Sequence, residues 1–364
     1  MKTFVIPGEA MLFKKRAAAT VVGLDLGSYS IKMVEMDHSG KSPVLVNYGI
    51  TELVPEAIKN GHVVERPAVI EAIGVLFDTC QLANRQVNVA LSGADVIIKT
   101  IQTDRMSLEE LQKAISWEAE QHVPFPLAEI SYDFQVLDPE GTTPQMNILL
   151  VAAKRDLIEE KLSLFEEAGC DVMLIDVDTF ALLNALETNY EAPEGGCHCI
   201  VHFGNEGTHL SLVKKGLPIL TRNLPVGGRN LVQKIQEQLG ISEDEAYMAL
   251  LGNTEGKADG KTPPDITPFL GTLLDDIAIG VNRAAAFLES TEESGNIEKI
   301  FLSGGCTNIL NLDHYFKDKV GIATQIANPL AKVAYKPALF QVETAEKVAP
   351  TLMLALGLGL RLPE

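Results

Sequence analysis

Hydrophobic and polar residues follow one plan in two separated stretches of the chain. Residues 21–52 read as a buried strand, a glycine turn and two further strands with alternating apolar positions. Residues 199–224 repeat this order, so that Gly27 of the first copy corresponds to Gly204 of the second. A helical pattern follows each copy. Two copies of one plan predict two similar α/β lobes that face each other.

The stretch between the two copies contains more predicted helices and strands than one lobe needs, which indicates an additional structural unit. Ser107 and Glu110 form a capping box that begins a helix, and Pro124 and Pro126 end that helix. The pattern of a strand, a helix and a second strand follows. We therefore expect a compact α/β subdomain inserted at residues 93–176.

The positions of the two copies set the remaining boundaries. We expect a flexible N-terminal segment, a first lobe and a second lobe that are each built from two stretches, a helical subdomain of the second lobe, and a C-terminal helix that packs back on the first lobe. The N-terminal segment is 1–19, the first lobe is 20–92 with 177–197, and the second lobe is 198–228 with 298–345. The helical subdomain is 229–297, and the C-terminal helix lies within 346–364.

Glycine turns carry the candidate chemistry. Phosphate oxygens are held by backbone N–H groups that approach closely, and glycine permits this approach. One such turn follows the first strand of each copy, and a third follows the short strand predicted at 300–302. Asp25 could hold Mg²⁺ through water, and Lys32 could neutralise phosphate charge. The predicted nucleotide-binding residues are Asp25, Gly27, Ser28, Tyr29, Ser30, Lys32, Gly204, Asn205, Gly207, Thr208, Gly227, Gly228, Gly304, Gly305 and Cys306.

Composition narrows the possible functions. The formal net charge of −19 repels nucleic acids and anionic lipids, so neither is an expected partner. Five cysteines at irregular spacing form no disulfide framework, which favours a reducing, cytoplasmic location. No apolar run approaches the roughly 20 residues that cross a bilayer, so we expect membrane contact only through partners.

Three segments resemble the nucleotide motifs of the actin superfamily. DLGSYSIK at 25–32 resembles the first phosphate motif, HFGNEGTHLSLV at 202–213 the second, and IFLSGGCTNI at 300–309 the adenosine motif. This resemblance implies an actin-like two-lobed α/β fold, in which two ribonuclease-H-like domains are duplicates and ATP with Mg²⁺ binds in the cleft between them.

Three further segments are similar to the PilM family, the FtsA-like proteins of type IV pilus machines. They are VPFPLAEISYDFQVL at 123–137, LPILTRNLPVGGRNL at 217–231 and ALGLGLR at 355–361. The resemblance extends over about residues 12–361 and implies an inserted α/β subdomain in the FtsA position. It also implies a groove beside the insert that takes the cytoplasmic N-terminal peptide of the membrane protein PilN.

The resemblance implies a cellular role as well. The chain would be a cytoplasmic, ATP-binding scaffold of the inner-membrane platform for pilus assembly and twitching motility. The pilus motor ATPase and other platform proteins are further candidate partners. Pro124 and Phe125 either line the partner groove or end a helix and fill the core of the insert, and both interpretations are open.

The chain departs from the family pattern at the nucleotide motifs. The second phosphate motif usually begins with an aspartate, where this chain has His202. The glutamate and lysine that usually touch the nucleoside correspond to Tyr247 and Leu250, and Cys306 stands where a small residue is usual. We therefore predict weakened ATP binding without appreciable hydrolysis, and hence no enzyme activity, because a neutral imidazole places magnesium and water poorly.

Two other functions are compatible with this fold. One is a sugar-kinase-like phosphotransferase, which the missing acid at His202 disfavours. The other is an FtsA-like tether for cell division, which ends in a linker and a basic amphipathic helix. This chain ends in TLMLALGLGLRLPE, with one arginine, which disfavours the tether.

Overall fold

The computed structural model describes residues 20–59, 61–93, 95–250, 266–290, 295–309, 312–341 and 343–362. The predicted N-terminal segment 1–19 lies outside these ranges. The strands are β1 (Thr20–Leu26), β2 (Ser30–Asp37), β3 (Val44–Glu52), β4 (Ile58–Lys59), β5 (His62–Val63), β6 (Gln86–Leu91), β7 (Val96–Asp104), β8 (Ile130–Val136), β9 (Gln145–Lys154), β10 (Asp171–Val177), β11 (Cys197–Phe203), β12 (Thr208–Lys214), β13 (Leu217–Leu224), β14 (Ile297–Ser303), β15 (Thr324–Ile326) and β16 (Ala334–Tyr335). The helices are α1 (Arg66–Thr79), α2 (Leu108–His122), α3 (Arg155–Glu167), α4 (Asp178–Asn189), α5 (Gly228–Leu239), α6 (Glu243–Leu250), α7 (Thr267–Ser290), α8 (Leu312–Val320), α9 (Ala345–Val348) and α10 (Met353–Gly359).

Two large sheets share one topology. The first has the order β10-β6-β1-β2-β3-β16, and the second has the order β13-β12-β11-β14-β15. In each, an antiparallel meander of three strands continues into two parallel strands beside its first strand. The apolar runs of β1 and β11 occupy the middle of their sheets and are almost wholly buried. The two-lobed, duplicated α/β fold predicted from the repeated pattern is therefore confirmed.

The insert is a three-stranded sheet of order β7-β9-β8 with α2 on one face. The predicted capping box is present, because the Ser107 backbone N–H donates to Glu110 Oε2 (2.9 Å) and the Glu110 N–H donates to Ser107 Oγ (3.3 Å). Leu111, Ile115 and Ala119 form the buried stripe of this helix. They pack on the sheet in a core separate from those of the lobes.

The structure corrects the predicted end of the insert at residue 176. β10 pairs in parallel with β6, so it is a strand of the first lobe. The preceding helix α3 buries Leu164 and Phe165 in the core of the same lobe. Residues 155–176 therefore belong with the first lobe, because their strand finds its partner there and the apolar face of α3 covers that sheet.

The predicted end of the second lobe at residue 345 also lies too far along the chain. The Ala327 N–H still donates to the Leu302 carbonyl of the second sheet (2.7 Å). Beyond it, β16 pairs with β3, and the Phe340 ring stacks on Tyr48 with 4.9 Å between centroids. The chain thus returns to the first lobe before residue 334.

The C-terminal segment is built into the first lobe. Every residue of α10 is buried, and the helix packs on α4, β1 and β2. Arg361 follows it and pairs with the buried carboxylate of Asp176, with Nε at 2.8 Å from Oδ2. The Asn88 side chain donates to the carbonyls of Leu358 and Arg361. The centre of the first lobe therefore depends on the last turns of the chain.

Candidate nucleotide site and neighbouring cavity

The two predicted glycine turns of the second lobe, after β11 and β14, meet Gly227 and Gly228 at the start of α5. The Gly228 N–H donates to the Gly204 carbonyl (3.1 Å), and the Arg229 N–H donates to the Asn205 carbonyl (2.8 Å). The Cys306 thiol donates to the Gly204 carbonyl (3.3 Å). These bonds bring together the turn after β11, the start of α5 and the turn after β14.

Gly304 is required where β14 ends. Its φ of +93° lies in a region that side-chain-bearing residues rarely adopt, and a Cβ there would collide with the Phe203 carbonyl. The following residues, Gly305–Asn308, form a short 3₁₀ helix. The close approach of β14 and β11 at this turn therefore depends on a glycine.

The side chains of Thr208 and Cys306 point into the second lobe and stabilise the glycine turns through hydrogen bonds. Thr208 is buried and donates its hydroxyl to the Val226 carbonyl (2.6 Å). Burial raises the pKa of the Cys306 thiol to about 12, so the thiol stays protonated. These two predicted site residues hold the loops in place through contacts inside the second lobe.

The register of the two hairpins shows what each turn can offer a phosphate. In the first lobe Asp25 faces Lys32 across the hairpin, and Lys32 Nζ lies 3.2 Å from Asp25 Oδ2. At the same register in the second lobe, His202 faces His209. An ion pair in one copy therefore corresponds to two imidazoles in the other.

Both imidazoles are held neutral by their surroundings. Burial lowers the pKa of His202 to about 4, with Lys32 acting in the same direction and Asp25 opposing it. Burial likewise lowers the pKa of His209. His202 Nδ1 lies 3.0 Å from Ser303 Oγ. At the position of Asp25 the second hairpin thus carries a neutral imidazole in place of a carboxylate.

His209 joins the two lobes through its ring nitrogens. Its Nε2 lies 2.9 Å from Thr179 Oγ1 of the first lobe and 2.9 Å from Ser211 Oγ of the second. Its Nδ1 lies 2.7 Å from Asn223 Oδ1. The imidazole is therefore committed to a structural network at the lobe junction.

Two charged residues near Asp25 escaped the sequence prediction. Asp178 begins α4 at the carboxyl end of β10, on the same sheet edge as Asp25. Burial and the charge of Asp25 raise the pKa of Asp178 to about 7. Burial lowers the pKa of Lys161 on α3, and the charges of Asp178 and Asp25 oppose that shift. For Asp178, the sequence signal was an acidic residue directly after a predicted strand, but no glycine turn beside it indicated a binding site.

Side chains also cross the cleft between the two lobes. The Tyr29 ring stacks on Tyr247 of α6, with 4.8 Å between centroids. The Tyr247 hydroxyl donates to Asn205 Oδ1 (2.5 Å). Arg229 pairs with Glu56 of the first lobe, so the first glycine turn and its neighbourhood are tied directly to the second lobe.

A cavity of about 310 Å³ lies where the insert meets both lobes. Val96, Ile97 and Ile98 of β7 give it an apolar wall. Its polar wall comes from Asp178 and Arg222, together with neighbours on α4, β12 and β13.

The predicted groove residues Pro124 and Phe125 lie outside the lining of this cavity. Pro124 is exposed, whereas Phe125 packs partly on the core of the insert. The Lys154 ammonium lies 4.5 Å from the centre of the Phe125 ring and 2.7 Å from Asp95 Oδ1. Asp95 directly precedes the apolar wall on β7, so Phe125 is linked to the cavity through two contacts.

Comparison with known proteins decides the family. The family model for "Type IV pilus assembly protein PilM" matches residues 23–362. The chain belongs to the PilM family. This family member is 27% identical to a chain of the "PilM-PilN type IV pilus biogenesis complex", covering 94% of this chain and 98% of that one with a TM-score of 0.80.

More distant relatives share the fold. The ethanolamine utilization protein EutJ from Carboxydothermus hydrogenoformans is 15% identical, with coverages of 94% and 90% and a TM-score of 0.58. The cell division protein FtsA of Bacillus subtilis (strain 168) is 20% identical over 251 residues. That match covers 62% of this chain and 56% of FtsA, so the PilM family member spans little more than half of that relative's length. The predicted actin-like, FtsA-like fold is confirmed by these relatives.

None of the helices within the described ranges combines the length and apolar character that a bilayer crossing requires.

His202 gives a testable pH dependence. In the unfolded chain its pKa is near the ordinary 6.5, and in the folded chain the pKa is lowered to about 4. The unfolded chain therefore binds the proton first, and the free energy of unfolding should fall as pH decreases from 6.5 to 4. We expect His202 to contribute about 1–3 kcal/mol of this loss, and His202→Gln to remove that share.

Urea unfolding followed by circular dichroism between pH 7.5 and 4.5 measures this difference. Exposed His314, substituted as His314→Gln, is the matched control, because its side chain is 80% exposed. Subtracting the variant curve from the wild-type curve separates His202 from the carboxylates that titrate in the same range. Equal pH dependence in wild type and His202→Gln would contradict the assignment.

Proposed function

We propose that this PilM family member is a cytoplasmic, ATP-binding scaffold of the type IV pilus inner-membrane platform that binds the cytoplasmic N-terminal peptide of a PilN-like protein. The observation that carries the proposal is the cavity at the junction of the insert and both lobes. The similarity over 98% of a chain from a PilM–PilN complex supports the choice of partner.

The walls of the cavity suit an extended peptide. β7 is at one edge of the described insert sheet, and β13 is at one edge of the second-lobe sheet. An extended segment can pair with an edge strand through backbone hydrogen bonds, while alternate side chains enter adjacent space. Ile97 and Ile98 offer apolar contacts, and the Asp178 carboxyl and the Arg222 guanidinium offer hydrogen-bonding groups. The volume suits a short segment rather than a folded partner.

The nucleotide proposal rests on the first turn. A Cβ at Gly27 would lie 2.7 Å from Lys32 Nζ and 2.9 Å from the Ser30 carbonyl, so a glycine here lets the Lys32 ammonium approach the backbone where a phosphate would bind. Lys32 would offset phosphate charge, and Asp25 would hold Mg²⁺ through water. Magnesium, when bound, would neutralise the polyphosphate charge. With His202 at the second turn, ATP would bind without appreciable hydrolysis.

One observation favours the phosphotransferase alternative. A carboxyl group with a pKa near 7, such as Asp178, is suited to act as a general base. The cavity wall facing it is apolar at Val96, Ile97 and Ile98, whereas a sugar needs many hydrogen-bonding groups. The scaffold is therefore the better-supported function. The tether alternative finds no support in α10, since its residues are buried in the first lobe.

The nucleotide proposal predicts binding without turnover. We expect ATP with Mg²⁺ to bind the purified chain in calorimetry, and Lys32→Ala to weaken binding by about tenfold or more, because a charge near the phosphate is lost. Lys347→Ala, which removes an exposed lysine, is the control. Sustained phosphate release by the pure protein, abolished in Asp25→Ala, would show that the chain hydrolyses ATP and would refute this part of the proposal.

The peptide proposal predicts a loss of affinity when the apolar wall is cut back. Ile98→Ala should weaken binding of the labelled PilN-like N-terminal peptide by about tenfold, since a side chain that the peptide would cover is removed. Ile279→Ala is the matched control, because Ile279 is exposed on α7. Fluorescence anisotropy gives the dissociation constants, and thermal unfolding shows that both variants fold. Unchanged affinity in Ile98→Ala would place the peptide elsewhere.

A further inference from the structure

Tyr247 stands between the two turns that are the candidate phosphate binders. Its ring stacks on Tyr29 in the first turn, with 4.8 Å between centroids and 30° between planes. Its hydroxyl donates to Asn205 Oδ1 in the second turn (2.5 Å). One side chain of α6 therefore contacts both turns at once.

The first turn holds Tyr29 firmly in this position. Its carbonyl accepts from the Leu53 N–H (2.8 Å), and its hydroxyl donates to Glu52 Oε1 (3.1 Å). Burial and then the charge of Glu52 raise the pKa of Tyr29 to about 12, so the donating proton is retained. The surface offered to Tyr247 is thus fixed by the end of β3.

An ion pair crosses the same cleft beside the stack. Arg229, near the start of α5, pairs with Glu56 of the first lobe and lies 3.6 Å from Glu206. Exposed ion pairs contribute little because water screens them, whereas half-buried stacked rings lose less to solvent. The stack is therefore stronger than the ion pair beside it, and the hydrogen bond to Asn205 within the second lobe holds the Tyr247 ring in place.

We propose that Tyr247 is an internal strut that holds the cleft closed without nucleotide by occupying the space between the two phosphate-binding turns. A polyphosphate held by the N–H groups of both turns needs that space, so the ring must leave before ATP enters. Its departure costs the stack and the hydrogen bond to Asn205, and the apparent affinity for ATP is reduced by the fraction of closed molecules. The part concerning ATP rests on the proposed nucleotide function, whereas the closure itself does not.

The closure is tested in the nucleotide-free full chain by hydrogen–deuterium exchange with mass spectrometry. In Tyr247→Ala, peptides covering 27–30 and 204–207 should exchange about tenfold faster, which corresponds to about 1.4 kcal/mol of lost closure. Tyr247→Phe keeps the ring and loses the hydroxyl, so it should show a smaller increase. Trp117→Ala is the control, because Trp117 is 70% exposed on the insert. Tyr29→Ala removes the stack from the side of the first lobe, and it replaces Tyr247→Ala in this experiment if Tyr247→Ala does not fold.

Calorimetry with ATP and Mg²⁺ then separates the strut from the nucleotide function. An affinity about tenfold higher in Tyr247→Ala than in wild type supports the strut as a competitor of ATP. Faster exchange with no ATP binding in either protein supports the strut and refutes the nucleotide function. Unchanged exchange in both Tyr247→Ala and Tyr29→Ala overturns the strut. Weaker ATP binding in Tyr247→Ala overturns the competition, because Tyr247 would then be a nucleotide contact.

Discussion

Burial of the two central strands determines where the glycine turns after β1 and β11 lie. β1 and β11 are hydrogen-bonded on both edges and covered on both faces, so a shift of register would expose their apolar side chains. The turns at their carboxyl ends are fixed as a result. The hairpin that follows each turn then sets Asp25 opposite Lys32 and His202 opposite His209. The chemistry of the cleft is thus a consequence of core packing in each lobe.

The two lobes kept one architecture and diverged at these register positions. The first copy retains an ion pair beside its glycine turn, whereas the second carries two neutral imidazoles that bond to Ser303 and to the lobe junction. A turn preceded by an imidazole in place of the aspartate can still bind phosphate through its N–H groups, but the imidazole offers little to place magnesium and water. One of the two imidazoles, His209, also lies in the lining of the cavity beside the insert, so this divergence changes the cavity wall as well as the cleft.

The local parts of this structure could be predicted from the sequence, and the long-range parts could not. The duplicated hairpins, the glycine turns and the capping box at Ser107 all depend on residues close in the chain. The misplaced boundaries depend on pairing: Asp171 of β10 lies opposite Gln86 of β6, and Ala334 of β16 opposite Val44 of β3. No local pattern distinguishes these partners from nearer strands.

The candidate site shows the same division. The glycine turns were expected, and the structure assembles those of the second lobe through direct hydrogen bonds. The stack of Tyr29 on Tyr247 joins residues more than 200 positions apart, and Asp178 reaches the cleft only because β10 joins the first sheet. Phe125 was expected at the partner groove or in the insert's core, and it packs on that core, outside the lining of the cavity.

We expect the partner peptide to bind this framework whether or not nucleotide is present. The decisive measurement is a calorimetric titration of the full chain with the N-terminal peptide of the PilN-like protein from the same genome, with and without ATP and Mg²⁺. We expect binding in both conditions, with dissociation constants that agree within about threefold, because the cavity and the glycine turns use different side chains. Binding that requires ATP, or no binding in either condition, would contradict this expectation.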